Sequence, residues 1–342
     1  AITPQPAGDP DSNGNGIGIG CYSEWHHSMY ECGITLMTFA SSLAPARIAE
    51  TGPPGVVGRA YADIVQDMVD YLAYGQTDPV HGVYRGGWRY EANYPHSDNS
   101  VSQWPAIGMQ AAETSFGMTV PTFVRDELSL WVDYIQNDVD GDPLDGGSGY
   151  SDPTSWVNVA KTGGLLAEMF FYGDAIGVQR AQDALTYIDL NWQTDPEHFS
   201  TNSYYAFYSL MKGLRLMEVE TLPSGLDWYG DPAWGYAPYL VGIQYDDGSW
   251  PPGYWSYGTL SSAWAILILQ PHPTVIPPVA VANATPLAVP PGALITFDHS
   301  ASYHPLAGPP DGRTIVTDPW DFNGDGRRDF VTPDPGVKPT RA

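Results

Sequence analysis

The chain has 342 residues, of which 43% are hydrophobic and only 15% charged. That is enough apolar material for one large domain and a small one, and it excludes a disordered chain. The net charge of −25, with only 14 Lys and Arg, excludes nucleic acid and anionic membrane surfaces as natural partners, because phosphate binding needs clustered cations.

No apolar run is long enough to span a membrane, and "AWAILILQ" (263–270) reads as a helix end. Residues 1–20 are rich in Gly, Pro and Asn and read as irregular. The start "AITPQPAG", without Met, fits a cleaved signal and hence a secreted protein at the cell surface or outside the cell. In "DSNGNG" (11–16), Asp11, Asn13 and Asn15 place oxygens at alternate positions, as a calcium loop does. The competing reading is an Asx-rich turn. On one continuous helix Cys21 and Cys32 would lie about 16 Å apart, too far for a bridge. A helix that begins near Trp25 lets the chain fold back, and an exterior protein then favours a disulfide over two buried thiols.

From there to about residue 270 two kinds of helix alternate. "YADIVQDMVDYLAYG" (61–75) is amphipathic, with Asp63, Asp67 and Asp70 expected to face away from its apolar stripe; 123–136 and 179–192 share that layout. Segments 25–43, 103–116, 155–173, 203–217 and 257–270 are apolar or small nearly all round, so they are expected to be buried on all sides. The count is five inner and four outer helices, an α/α toroid in which inner helices line an axis. Glycine loops recur before inner helices: "GGWRY" (86–90), "DGGSGYSD" (145–152) and "DDGSWPPGYW" (246–255). Their aromatic residues are expected to wedge one repeat against the next.

Several polar residues fall near inner-helix starts and converge on one mouth in such a ring: His26, His27, Asn158, Lys161, Tyr204 and Tyr205. They form a possible ligand groove; the plainer reading is that they cap helices and loops. Lys161 stands out as a cation in an inner helix. It should meet a carboxylate such as Glu113 or Glu168, or open onto the axial cavity. "DVDGDPLD" (138–145) offers Asp138, Asp140, Asp142 and Asp145 as a third, weaker calcium candidate.

After Gln270 the composition changes. Residues 271–278 form a Pro-rich linker, and 279–342 read as a small, incomplete all-β domain. Asn283 begins a glycosylation sequon. "DFNGDGRRD" (321–329) sets Asp321, Asn323, Asp325 and Asp329 around a Gly turn, the strongest calcium signal in the chain.

"IQYDDGSW" (243–250) resembles the Gln…Gly-x-Trp repeat of terpenoid cyclases and prenyltransferases. "GGWRYEANYPHSDNSVSQWPAIGMQAAETSFGMTVP" resembles the repeats of secreted prenyltransferase/squalene-oxidase-repeat proteins. The resemblance covers roughly residues 20–270 and implies the α/α toroid, with about six helix pairs in the family's ring. The family's chemistry does not carry over. The Asp-x-Asp-Asp acid is broken by a Gly in 138–142, no Asp-x-Cys zinc pattern occurs, and Glu24 stands where a thioester domain has Gln. Phe297, Asp298, Ser300 and Ser302, then Trp320, Asp321 and Phe322, resemble a PKD-like immunoglobulin-type domain, which implies an extracellular spacer.

These readings favour a non-catalytic surface or matrix structural protein, stabilised by calcium, whose tails dock on neighbouring copies as a homo-oligomer or head-to-tail filament. The rival is a toroid that binds or cleaves carbohydrate with Trp and Tyr. Handling of isoprenoids comes third. An open cleft with exposed Trp favours a glycan, an apolar axial cavity an isoprenoid, and a filled axis a scaffold.

Overall fold

The computed structural model describes residues 1–22, 24, 26–270, 283–286, 290, 293–298, 318–320, 330–332 and 340–341. It divides into two units, 1–270 and 271–342.

The first unit is helical: α1 (Ser28–Ser41), α2 (Tyr61–Tyr74), α3 (Asn99–Phe116), α4 (Thr122–Ile135), α5 (Val159–Tyr172), α6 (Gln179–Asn191), α7 (Tyr204–Leu216), α8 (Tyr236–Ile243) and α9 (Thr259–Leu269). The five apolar segments became the odd-numbered helices. Each of these packs on the next odd one, from α1 to α9, and even-numbered helices pack against them. Starts differ from the sequence expectation by a few residues because caps decide them. Asp98 accepts from the backbone N–H of Ser100 and Val101, so α3 begins before Gln103. Asn158 accepts from Lys161 N–H and sets the start of α5.

Glycine lets the odd helices approach closely. A Cβ on Gly33 of α1 would lie 2.3 Å from the Trp104 carbonyl oxygen, and one on Gly213 of α7 would lie 2.2 Å from that of Gly163. The space between helices is filled by aromatic rings. Trp104 meets Tyr30 of α1 at 4.8 Å, Tyr208 of α7 at 5.7 Å and Trp264 of α9 at 5.7 Å.

The glycine loops repeat in atomic detail. Trp88 and Trp250 are buried, and their indoles donate to the Leu72 and Leu240 carbonyls of α2 and α8. The backbone N–H groups of Trp88, Ser148 and Trp250 donate to Ser102, Thr162 and Ser262 on the following helices. Buried Gln76 donates to the Gly86 carbonyl at 2.7 Å and to the Val124 carbonyl in the first turn of α4 at 2.9 Å. Gln136 does the same with Gly146 at 3.0 Å and Arg180 in α6 at 2.8 Å. After α6 a buried histidine takes over: His198 bridges the Trp192 carbonyl and the hydroxyl of Tyr236, the first residue of α8, both at 2.7 Å. Gln244 reaches only the Gly248 carbonyl.

Four expectations need correction. Asp67 and Asp70 do not face solvent: both are fully buried, because residues 1–20 strap α2. Ile2 is buried beside Gly18 and Tyr71, Gly8 meets Phe123, and Ile19 N–H donates to the Asp67 carbonyl. This N-terminal segment, expected to dock on a neighbouring copy, thus packs on its own chain. Cys21 and Cys32, expected as a disulfide, are free thiols. The chain does fold back before α1, but the contact is a hydrogen bond from Cys21 N–H to Cys32 Sγ at 2.8 Å. Finally, α9 is not buried on all sides. Leu260, Ile266 and Leu267 are exposed, since among the described residues no helix follows to cover them.

In the second unit, β1 (Asn283–Thr285) pairs antiparallel with β2 (Ile295–Asp298), which pairs antiparallel with β5 (Thr340–Arg341); β3 (Asp318–Trp320) pairs with β4 (Phe330–Thr332). Asn283 of the sequon lies opposite Asp298. The calcium candidate Asp321, Asn323, Asp325 and Asp329, the linker 271–278 and most of the tail 333–342 lie outside the described residues.

Candidate functional site

Ahead of every odd-numbered helix the chain turns through a left-handed residue that is not glycine: His26 before α1, Asn93 before α3, Trp156 before α5, Asn202 before α7 and Trp255 before α9. Asn tolerates that conformation; a bulky indole does so at a cost of about 1–3 kcal/mol. Trp156 (φ 50°) and Trp255 (φ 60°) are nonetheless held there, 47% and 61% exposed.

Both line one cavity of about 380 Å³, built where the starts of the five odd helices meet. His27 and Tyr30 come from α1 and its approach, Ser100 from α3 and Tyr90 from the loop before it, Ala160 and Lys161 from α5 and Tyr150 and Asn158 from its approach, and Tyr205 from α7 with Glu197 and Ser203 ahead of it. The walls are aromatic and mutually braced. His27 and Tyr90 rings lie 4.4 Å apart, the Tyr90 and Tyr150 hydroxyls share a 3.0 Å hydrogen bond, and Tyr150 lies 5.3 Å from Trp156. Below, Tyr205 donates to the Ser100 carbonyl and accepts from Gln103 Nε2 at 2.6 Å.

Glu197 fixes the polar side. One oxygen accepts from Trp156 Nε1 at 2.8 Å and the other from Asn158 Nδ2 at 2.9 Å. Asp195 beside it accepts from Val159 N–H at the start of α5. Lys161 is 3% exposed, and its ammonium makes no hydrogen bond or ion pair among the described residues; its Nζ sits 4.4 Å over the Trp156 ring. Of the two expectations for it, the structure realises the opening onto a cavity, since Glu113 pairs with Arg125 instead. Burial pulls the Lys161 ammonium down to about 8, against the opposing pull of Glu197, Asp195 and Asp98. Burial likewise raises the Asp98 carboxyl and the Tyr205 hydroxyl.

Four of the six expected groove residues therefore meet: His27, Asn158, Lys161 and Tyr205. The other two do not. His26 is exposed and turned to Glu91 at 3.0 Å, and Tyr204 is buried with its hydroxyl on the Pro251 carbonyl. Sequence reasoning missed Tyr90, Tyr150, Trp156, Glu197 and Trp255. The tyrosines carried a usable signal, standing four residues after Gly86 and Gly146 in matching loops. Glu197 carried none.

The other candidate loops are turns held by their own carboxylates. Asp11 accepts from Gly14, Asn15 and Gly16 N–H, and Asp142 from Leu144 N–H. Among the described residues no three His, Cys, Asp or Glu side chains form a metal-holding group, and no helix is long and apolar enough to cross a membrane.

The arrangement offers stacking faces at its rim, a cation on an indole, amide and carboxylate groups, and hydroxyls. No family model matches the chain, and no curated protein matches it.

Proposed function

We propose that the helical unit is an α/α toroid whose mouth binds a saccharide without cleaving it, on a protein that works outside the cell, with a PKD-like sandwich as its second unit. One observation carries this reading: two exposed tryptophans, each held at positive φ, flank the same cavity. Strained backbone persists where the surroundings over-determine it, and here it presents apolar rings to solvent. A pyranose has an apolar face to lay on an indole and hydroxyls around its edge. Lys161 and Asn158 supply donors, and Glu197 and the tyrosine hydroxyls supply acceptors. The volume falls within the roughly 300–1,000 Å³ of small-molecule sites.

Binding is favoured over cleavage by the state of the carboxylates. Glycoside hydrolysis uses a carboxylate pair flanking the bond. Both Glu197 oxygens are engaged, and Asp98 and Asp195 cap helices. An isoprenoid is disfavoured because Trp104 and its neighbours fill the space beneath the mouth. A filament built through the N-terminal tail is disfavoured because that tail is engaged on α2.

The test is calorimetry of the full chain against a panel of neutral and uronate-containing oligosaccharides. Trp156→Ala and Trp255→Ala should each weaken binding by about 30-fold, the roughly 2 kcal/mol of an interface hot spot. A panel with no binder, or binding untouched by both substitutions, refutes the reading.

A further inference from the structure

The strap over α2 gathers more carboxylate than its partners neutralise. Asp11 organises the loop: its Oδ1 accepts from Gly14 and Asn15 N–H at 2.9 and 3.2 Å, and its Oδ2 from Gly16 N–H at 2.7 Å. Asn13 and Asn15 follow at alternate positions and converge on one atom. Their amide nitrogens lie 2.9 and 2.8 Å from the same Oδ1 of Asp67 on α2. Arg59 takes the other Asp67 oxygen at 2.6 Å.

A second observation is independent of that loop geometry. Asp70, one turn along α2, is fully buried; its Oδ1 accepts from Gln66, while its Oδ2 has no hydrogen-bond partner. Ser12, in the strap loop, faces Asp70, and its Oγ is buried too. Asp11, Asp67 and Asp70 carry three negative charges where Arg59 supplies one positive charge. Two charges are left uncompensated around two fully buried carboxylates, Asp67 and Asp70, and a divalent cation balances them.

We propose that Asp11, Asn13 and Asn15 of the N-terminal strap and Asp67 of α2 bind one Ca²⁺, with Asp70 completing the charge balance. Calcium takes 6–8 oxygen ligands and accepts carboxylate, amide and backbone carbonyl alike. The Asn13 and Asn15 amide oxygens accept one hydrogen bond each, from Asn15 N–H and Ile17 N–H, and each keeps a second lone pair. The terminal amide torsion is broad, so turning these oxygens to where the nitrogens meet Asp67 needs no backbone change and exchanges the two backbone N–H contacts for the cation. The Ile17 carbonyl, at the seventh position of the spacing, and water supply the rest. The site pins the first twenty residues to the helical unit.

The experiment uses the full chain and Ca²⁺ alone, with calorimetric stoichiometry as the readout, because the 321–329 loop is a separate calcium candidate. Asp11→Ala and Asp67→Asn should each lower the stoichiometry by one. Both also remove hydrogen bonds, so a second variant guards against a merely unfolded strap. Asn15→Asp adds ligand charge and should tighten binding at this site about ten-fold, since charge count tunes affinity. If Asn15 were only a hydrogen-bond donor to Asp67, that change would repel Asp67 and weaken the strap instead. An unchanged stoichiometry in Asp11→Ala, no Ca²⁺ binding by the wild type, or weaker binding by Asn15→Asp overturns the proposal.

Discussion

Glu168 of α5 is fully buried, and neither carboxyl oxygen has a hydrogen-bond partner in the structure. Burial, with a smaller push from Asp98, raises its carboxyl well above the ordinary range. The folded protein therefore holds a proton that the unfolded chain releases near pH 4.5. Stability from this group is complete below that pH and falls as pH rises towards the folded value, at about 1.4 kcal/mol per pH unit. Glu168→Gln keeps the shape and removes the titration. Above pH 5 the wild type should lose stability relative to the variant by up to about 1.4 kcal/mol per pH unit until the folded value is passed, which is about 2–4 °C in melting temperature per kcal/mol for a unit of this size. Melting curves of both proteins by circular dichroism across that range, plotted as a difference, isolate Glu168 from every other titrating group. Parallel curves would mean that Glu168 is ionised in the fold, and the account of this helix face would be wrong.

His198 moves the opposite way. Burial lowers it to about 3, so the unfolded chain takes up the proton first and stability falls as pH drops from about 6.5 towards 3, again at about 1.4 kcal/mol per unit; its ring signals in NMR should not titrate above pH 4, and a midpoint above 5 contradicts this. Gly86→Ala meets both a positive φ of 85° and the Glu127 carbonyl oxygen at 1.9 Å, whereas Gly58→Ala meets only a φ of 83° with nothing near. Urea denaturation should show losses of about 3 and 1 kcal/mol respectively, and equal losses would remove the packing half of the argument.

Helix order and type were legible because burial on one side or on all sides leaves different periodicities, and the apolar segments here are long. Helix starts were less so, since one capping side chain, Asp98, outweighs a periodic pattern. The burial of Asp67 and Asp70 was not legible at all. Their spacing reads as a solvated face, and only a strap arriving from some fifty residues away covers it. The pocket was half legible: residues at helix starts share one end of parallel helices, so His27, Asn158, Lys161 and Tyr205 were within reach. Glu197 was not, because nothing in the local pattern of its loop tells a carboxylate turned inward from one turned to solvent.

The buried ties between successive even helices set the direction in which this unit comes apart. Gln76 fastens the end of α2 to the start of α4, Gln136 fastens α4 to α6, and His198 fastens α6 to α8. In a stack of repeats stability is shared between neighbours, and fraying begins where a neighbour is missing. Among the described residues the series stops beyond α8: Gln244 is exposed and holds its own loop, and α9 carries exposed leucine and isoleucine. Under load or in denaturant the unit therefore peels from α9 inwards, one fastening at a time. The mouth loses Trp255 first and Trp156 only later, so the proposed saccharide capture fails well before the interior melts. Mild acid hastens the same sequence, because the fastening nearest the loose end is the histidine.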